Sequence, residues 1–211
     1  MRGKWLAYIA VVALVIVAVG YTAFRSTPWP SVLLIRHAFA KDAARRNVAL
    51  EAHATGNVTV VPDQRYGDDS RELVDVYYPA DAPTKLPTLI WIHGGAFIAG
   101  DRTDLSGYAK VLAAKGYTIA AVGYPLAPGA RYPAPVISAN EAVTFILANV
   151  DRFHVDPQRL FIVGDSAGAQ IAAQMVAGTA DAAYGGAGRS FPPLRPPQNK
   201  SAGPCCGRFD C

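Results

Sequence analysis

Two short glycine-bearing clusters hold the residue types that nucleophilic chemistry needs. Gly164-Asp165-Ser166-Ala167-Gly168 has the G-x-S-x-G pattern, in which a serine sits on a strained strand-to-helix turn with its hydroxyl standing clear. The flanking glycines suit such a turn because side chains there would collide with the neighbouring strand and helix. A helix opening at this point offers free N–H groups and a dipole favourable to an oxyanion. An ordinary glycine-rich turn with a helix-capping serine has the same composition, so the context of the motif must decide. The second cluster is His93-Gly94-Gly95-Ala96-Phe97, where successive glycines leave backbone N–H groups open to an incoming anion.

The elements around these clusters follow from hydropathy. Pro87 to His93, Tyr117 to Gly123 and Arg159 to Val163 are nearly continuous apolar runs, the mark of strands buried on both faces. Helical patterns lie between and after them, over 101–115, 133–150 and 166–177. Asn57 to Val61 and Leu73 to Tyr78 flank the turn-like Tyr66-Gly67-Asp68-Asp69-Ser70 and predict an antiparallel hairpin. The order is hairpin, then strand and helix in alternation, so the expected fold class is α/β with a mostly parallel sheet flanked by helices. Both clusters then lie at carboxyl ends of strands, where sites assemble in such sheets.

In this setting the two clusters resemble the α/β-hydrolase fold, and more narrowly the hormone-sensitive-lipase-like carboxylesterases. His93-Gly94-Gly95-Ala96 resembles their HGGG loop, with Ala96 in place of the last glycine. Tyr124-Pro125-Leu126-Ala127-Pro128 followed by Tyr132-Pro133-Ala134-Pro135 resembles another stretch of that family, with Pro125 where Arg is usual. Val155-Asp156-Pro157-Gln158-Arg159 resembles the loop before the nucleophile strand. The resemblance covers roughly residues 57–178. It implies that Ser166 is the catalytic nucleophile and that the N–H groups of Gly94, Gly95 and Ala167 form the oxyanion hole. His93, Gly164, Asp165 and Gly168 would shape the two motifs, with Asp165 either supporting the site or merely starting a helix. The implied reaction is hydrolysis of a small carboxylic ester, with no cofactor and no metal. An arylformamidase-like amide hydrolase is the alternative among enzymes, and a non-catalytic binding module or inert fragment the alternative outside them.

One requirement is unmet. A serine nucleophile needs a base and the base an orienting acid, in the chain order Ser, Asp or Glu, His for this fold. His37, His53, His93 and His154 are the four histidines, and all precede Ser166. Asp181 and Asp210 are the carboxylates that follow it, one too close and one in an irregular tail. The expectation is therefore a domain truncated after the nucleophile turn, weak or inactive as written, from a frame-shifted or shortened esterase gene. Its nucleophile strand would be left at a sheet edge.

Charge and hydropathy divide the rest of the chain. The net charge of +4 resides in the two ends, since residues 26–188 sum to −2, which excludes a nucleic-acid partner. Trp5 to Phe24 carry no charge and are long enough, at helical rise, to cross the roughly 30 Å hydrocarbon core. A cleaved signal peptide is the rival reading, although Ala18-Val19-Gly20 is a poor cleavage site. The expected organisation is a basic start (1–4), one transmembrane helix (5–24), an amphipathic helical linker (25–54), a truncated hydrolase domain (55–183) and a disordered tail (184–211). That tail holds five of the sixteen prolines and all three cysteines, Cys205, Cys206 and Cys211, which lack the ligand set of a zinc site. The expected location is a single-pass membrane protein with its domain outside the cytoplasm; nothing in the sequence fixes an oligomeric state.

Overall fold

In the computed structural model, residues 2–83 and 85–180 are described. Their strands take the places the apolar runs predict: β1 (Val58–Arg65), β2 (Leu73–Pro79), β3 (Leu86–Ile92), β4 (Thr118–Val122) and β5 (Val155–Gly164). The helices are α1 (Arg2–Ser26), α2 (Trp29–Glu51), α3 (Ser106–Ala113), α4 (Ala134–Ala148) and α5 (Ala167–Ala180), and a 3₁₀ turn at Arg102–Leu105 leads into α3.

The five strands form one sheet in the order β1-β2-β4-β3-β5. β1 and β2 make the expected antiparallel hairpin. β2 runs antiparallel to β4, whereas β3 runs parallel to both β4 and β5. The sheet is therefore mixed, not mostly parallel. The reason is length: only the three strands linked by helices can run parallel, and the hairpin adds two strands to the edge of that trio.

Burial follows position in the sheet. β4 is buried along its whole length and β3 alternates, with Ile90 and Ile92 facing one side and Trp91 the other. Ile90, Ile92, Val74, Val76 and Val122 form the main core with Val136, Val143 and Ile146 of α4 and Ile171 and Met175 of α5. α3 covers the opposite face, where Ala109 and Ala113 pack on Tyr77 and Ile119. β5 departs from the expectation of a strand buried on both faces. Among the described residues its one strand neighbour is β3, and Phe161 is 54% exposed.

The N-terminal helices also differ from a simple amphipathic picture. α1 is long and apolar enough over Lys4–Ser26 to cross a membrane, and a signal sequence has the same character. In α2, Val32 and Ala43 are buried, while Leu33 and Val48 lie at 58% and 72% exposure. Much of what docks α2 onto the domain is polar. Asn47 donates to the Thr103 carbonyl and accepts from the Gly107 N–H, each at 3.0 Å, and Lys110 pairs with Glu51. The expected disordered tail, 184–211, lies outside the described residues.

Candidate active site

Ser166 stands between the end of β5 and the start of α5 in the left-handed region, at φ +50°. A residue with a Cβ adopts that conformation at a cost of roughly 1–2 kcal/mol, and the geometry throws the side chain outward. Ser166 is accordingly exposed, while Ala167 and Gly168 behind it are buried. Gly168 has no room for a side chain: a Cβ would run into the carbonyl oxygens of Ile92 and His93, so the start of α5 lies against the end of β3. Gly164 is confined in the same way by the backbone of Gly168 and Ala169. These contacts bring together two motifs far apart in sequence.

The loop after β3 is unusual backbone. Gly95, Ala96 and Phe97 have φ of +125°, +53° and +61° in succession. The turn closes on itself through the N–H groups of Ile98 and Ala99, which donate to the Gly95 carbonyl at 3.0 and 2.8 Å. Among the described residues the N–H groups of Gly95, Ala96 and Ala167 donate to no carbonyl or side chain. Gly94 differs. Its N–H donates to Asp165 Oδ1 at 3.0 Å, and Trp91 Nε1 donates to the same oxygen at 3.3 Å. An N–H has one proton to give, and here the Gly94 proton is given to Asp165, which links the two motifs. Asp165 is correspondingly more than a helix-start acid.

His93 is 2% exposed and its ring lies flat against Tyr124, with centroids 4.3 Å apart. Its Nδ1 meets the Gly94 carbonyl at 2.7 Å, and its own carbonyl accepts from the Tyr124 hydroxyl at 2.7 Å. Burial pushes the imidazole below its ordinary pKa of 6.5, which favours the neutral ring. With Nδ1 protonated toward a carbonyl, Nε2 is left an acceptor, and it has no partner. Among the described residues no hydrogen bond joins Ser166 to a histidine. His53 Nδ1 meets the Ala49 carbonyl at the end of α2, and His154 Nδ1 meets the Pro83 carbonyl with its ring tilted on Tyr78. His154 is thus a loop residue packed on Tyr78.

A cavity of about 540 Å³ opens beside His93, Gly94 and Asp165, walled by Trp91, Tyr108 and Phe39. Ser166 does not line it. The Trp91 ring packs edge-on against Tyr108. Nothing in the sequence singles out Trp91 for a polar contact. Its place on the opposite face of β3 from Ile90 and Ile92 is the one signal available.

A serine on a left-handed turn between a parallel strand and a helix, tied to a glycine loop at the end of the neighbouring strand, is the arrangement of the α/β-hydrolases. A sequence profile of the BD-FAE family matches residues 74–187, which take in β2 and the Gly164–Gly168 turn. The chain belongs to the BD-FAE family. Among relatives of this BD-FAE chain, Esterase LipC of Mycobacterium tuberculosis is 39% identical over 111 residues, which are 51% of this chain and 27% of LipC. Isoprenylcysteine alpha-carbonyl methylesterase ICME of Arabidopsis thaliana is 32% identical over 108 residues, 51% of this chain and 25% of that one. Among solved structures, Esterase B from Lactobacillus rhamnosis superposes with a TM-score of 0.62 at 26% identity, over 75% of this chain and 52% of the other. The BD-FAE chain thus spans about a quarter of the curated relatives it matches, and it is a hormone-sensitive-lipase-like member of the α/β-hydrolases.

Proposed function

We propose that this chain carries the nucleophile and oxyanion hole of a serine carboxylesterase held at a membrane by α1. Ser166 Oγ attacks the carbonyl carbon of a small carboxylic ester as its proton passes to solvent water, and the carbonyl electron pair moves onto oxygen. The resulting oxyanion is received by the N–H groups of Gly95, Ala96 and Ala167. Collapse of the tetrahedral intermediate expels the alcohol and leaves an acyl-serine, which water hydrolyses. The observation that carries this reading is the exposed Ser166 at φ +50°, joined by its neighbour Asp165 to the glycine loop. The likeness to LipC and to ICME, both esterases by name, supports it.

Water is a weak base for the Ser166 proton. The four histidines of these 211 residues precede the serine; His53, His93 and His154 are engaged elsewhere, and His37 lies exposed on α2. The 211 residues alone therefore hydrolyse esters slowly, at most at the roughly 10³–10⁴-fold level over water that a hole without a base sustains. A second reading has the loop bind an ester or acid without turning it over. Incubating the 211-residue chain with a fluorophosphonate and mapping the adduct by mass spectrometry separates the two. Labelling at Ser166 that is lost in Ser166→Ala supports the nucleophile. A chain that binds a phosphonate ester but never bonds to it supports the binding reading.

The anchor has its own test. On this reading α1 spans the bilayer, α2 follows after Thr27 and Pro28, and the domain lies outside the cytoplasm. Deleting residues 1–24 moves the protein from the membrane fraction to the soluble one. A mature N-terminus near residue 21 in the soluble fraction would instead identify a signal peptide.

A further inference from the structure

The loop that holds Gly95 and Ala96 poses a mechanical problem. Three consecutive residues, Gly95 to Phe97, have positive φ, and two of them carry a Cβ. Strain of that kind persists only where surrounding contacts over-determine it. Asp165 secures the loop at its beginning through the Gly94 N–H. The far end is secured from outside the hydrolase domain. Arg36 of α2 donates through Nε to the Ile98 carbonyl at 2.7 Å and through Nη2 to the Ala127 carbonyl at 3.1 Å. Ala127 in turn donates its N–H to the Phe97 carbonyl at 2.8 Å, so the guanidinium joins two loops that already touch. The ring of Trp29, at the first position of α2, lies 5.7 Å from the guanidinium carbon and steadies it by a cation–π contact.

We propose that Arg36 is a positioning residue for the oxyanion loop, making the placement of the Gly95 and Ala96 N–H groups depend on the seating of helix α2. Only a planar fork serves here, because its two N–H groups reach carbonyls from different loops at once, which an ammonium point charge does less well. The inference rests on the proposed part of Gly95 and Ala96 as anion donors. Its structural half, the clamp, stands apart from that reading and is measured separately.

The test uses the full 211-residue chain in detergent micelles, with Arg36→Ala and Arg36→Lys beside the parent. Amide hydrogen exchange is followed at Ile98, Ala99 and Ala127, with β4 and α4 as internal references. The clamp predicts exchange faster by about tenfold or more at those three amides in Arg36→Ala, no change in β4 and α4, and an intermediate effect in Arg36→Lys. Unchanged loop exchange in Arg36→Ala overturns the clamp. So does acceleration throughout the domain, which reports global loosening, and so does full protection in Arg36→Lys, which reports charge without the fork. Fluorophosphonate labelling of Ser166 is read on the same samples and slows in Arg36→Ala in parallel with loop exchange. Labelling that is unchanged while the loop loosens overturns the positioning role. A parent chain that takes no label while Arg36→Ala loosens the loop removes the serine reading and leaves the clamp standing.

Discussion

The N–H of Gly94 and the carboxylate of Asp165 meet at 3.0 Å across 71 positions of the chain. This one hydrogen bond, with the Trp91 indole on the same oxygen, fastens the Ser166 turn to the glycine loop. Removing the acceptor leaves both donors without it. Asp165→Ala is expected to lose about 1–3 kcal/mol in urea unfolding, and Asp165→Asn, which keeps an oxygen in place, clearly less. Equal losses in the two variants would mean that the carboxylate charge, not the bond, holds the motifs together.

Ser166 sits where glycine would be more comfortable. Ser166→Gly should raise the unfolding free energy by about 1 kcal/mol, since glycine adopts positive φ without a Cβ penalty. It should at the same time abolish fluorophosphonate labelling. Ser166→Ala should abolish labelling with no such gain, because alanine keeps the Cβ. A stability gain in both variants would place the strain in the hydroxyl's surroundings instead of the backbone.

Gly168→Ala places a methyl against backbone at the end of β3 that cannot swing aside. A loss above about 3 kcal/mol, or failure to accumulate as folded protein, is expected. Gly20→Ala is the control: no atom lies within 4 Å of an added Cβ there. Circular dichroism of the two variants decides the point.

The strands, the helices and both motifs were legible in the sequence because each rests on local pattern. The runs at 87–93 and 117–123 are apolar enough to mark interior strands, and Gly164 to Gly168 carries its own turn chemistry. The direction of β2 against β4 was not legible, since a strand's polarity is set by which neighbour it pairs with. The fate of the Gly94 N–H was hidden for a related reason: its acceptor, Asp165, is distant in the chain and adjacent only once β3 and β5 pair. Arg36 left no trace at all. In sequence it is one cation of several on an N-terminal helix, and its two carbonyl partners are backbone atoms that any residue would supply.

His93 gives the fold a pH dependence of definite sign. Its folded pKa lies below the ordinary value of 6.5, so below about pH 6.5 the unfolded chain binds the proton more readily. The stability tied to His93 is therefore present above that pH and declines as the pH falls from the unfolded toward the folded pKa. Melting temperatures at about pH 8 and about pH 5 should fall further for the parent than for His93→Asn. An identical fall in both assigns the acid sensitivity to other groups.

Arg102 is the keystone of a second cluster, away from Ser166. It donates Nε to Asp75 at 2.9 Å and pairs with Asp63 and Asp101, and the Asp75 side chain is only 4% exposed. Arg102→Met would strand a buried carboxylate with the Asp63 N–H as its remaining donor. A loss of about 3–5 kcal/mol is expected, recovered in part by adding Asp75→Asn. Additive losses in the double variant would show that the two residues act independently.

The position of β5 at the end of the sheet has a consequence for the molecule's company. Phe161 is half bare, and one side of the strand's backbone faces no other strand among the described residues. Such a margin is a template for any extended chain that drifts past, including another copy of itself. For a preparation of these 211 residues, whether Ser166 stays on its turn thus becomes a race between folding and chance pairing, decided by concentration. A dilute preparation should keep Ser166 on its turn, and a concentrated one should bury it in aggregate.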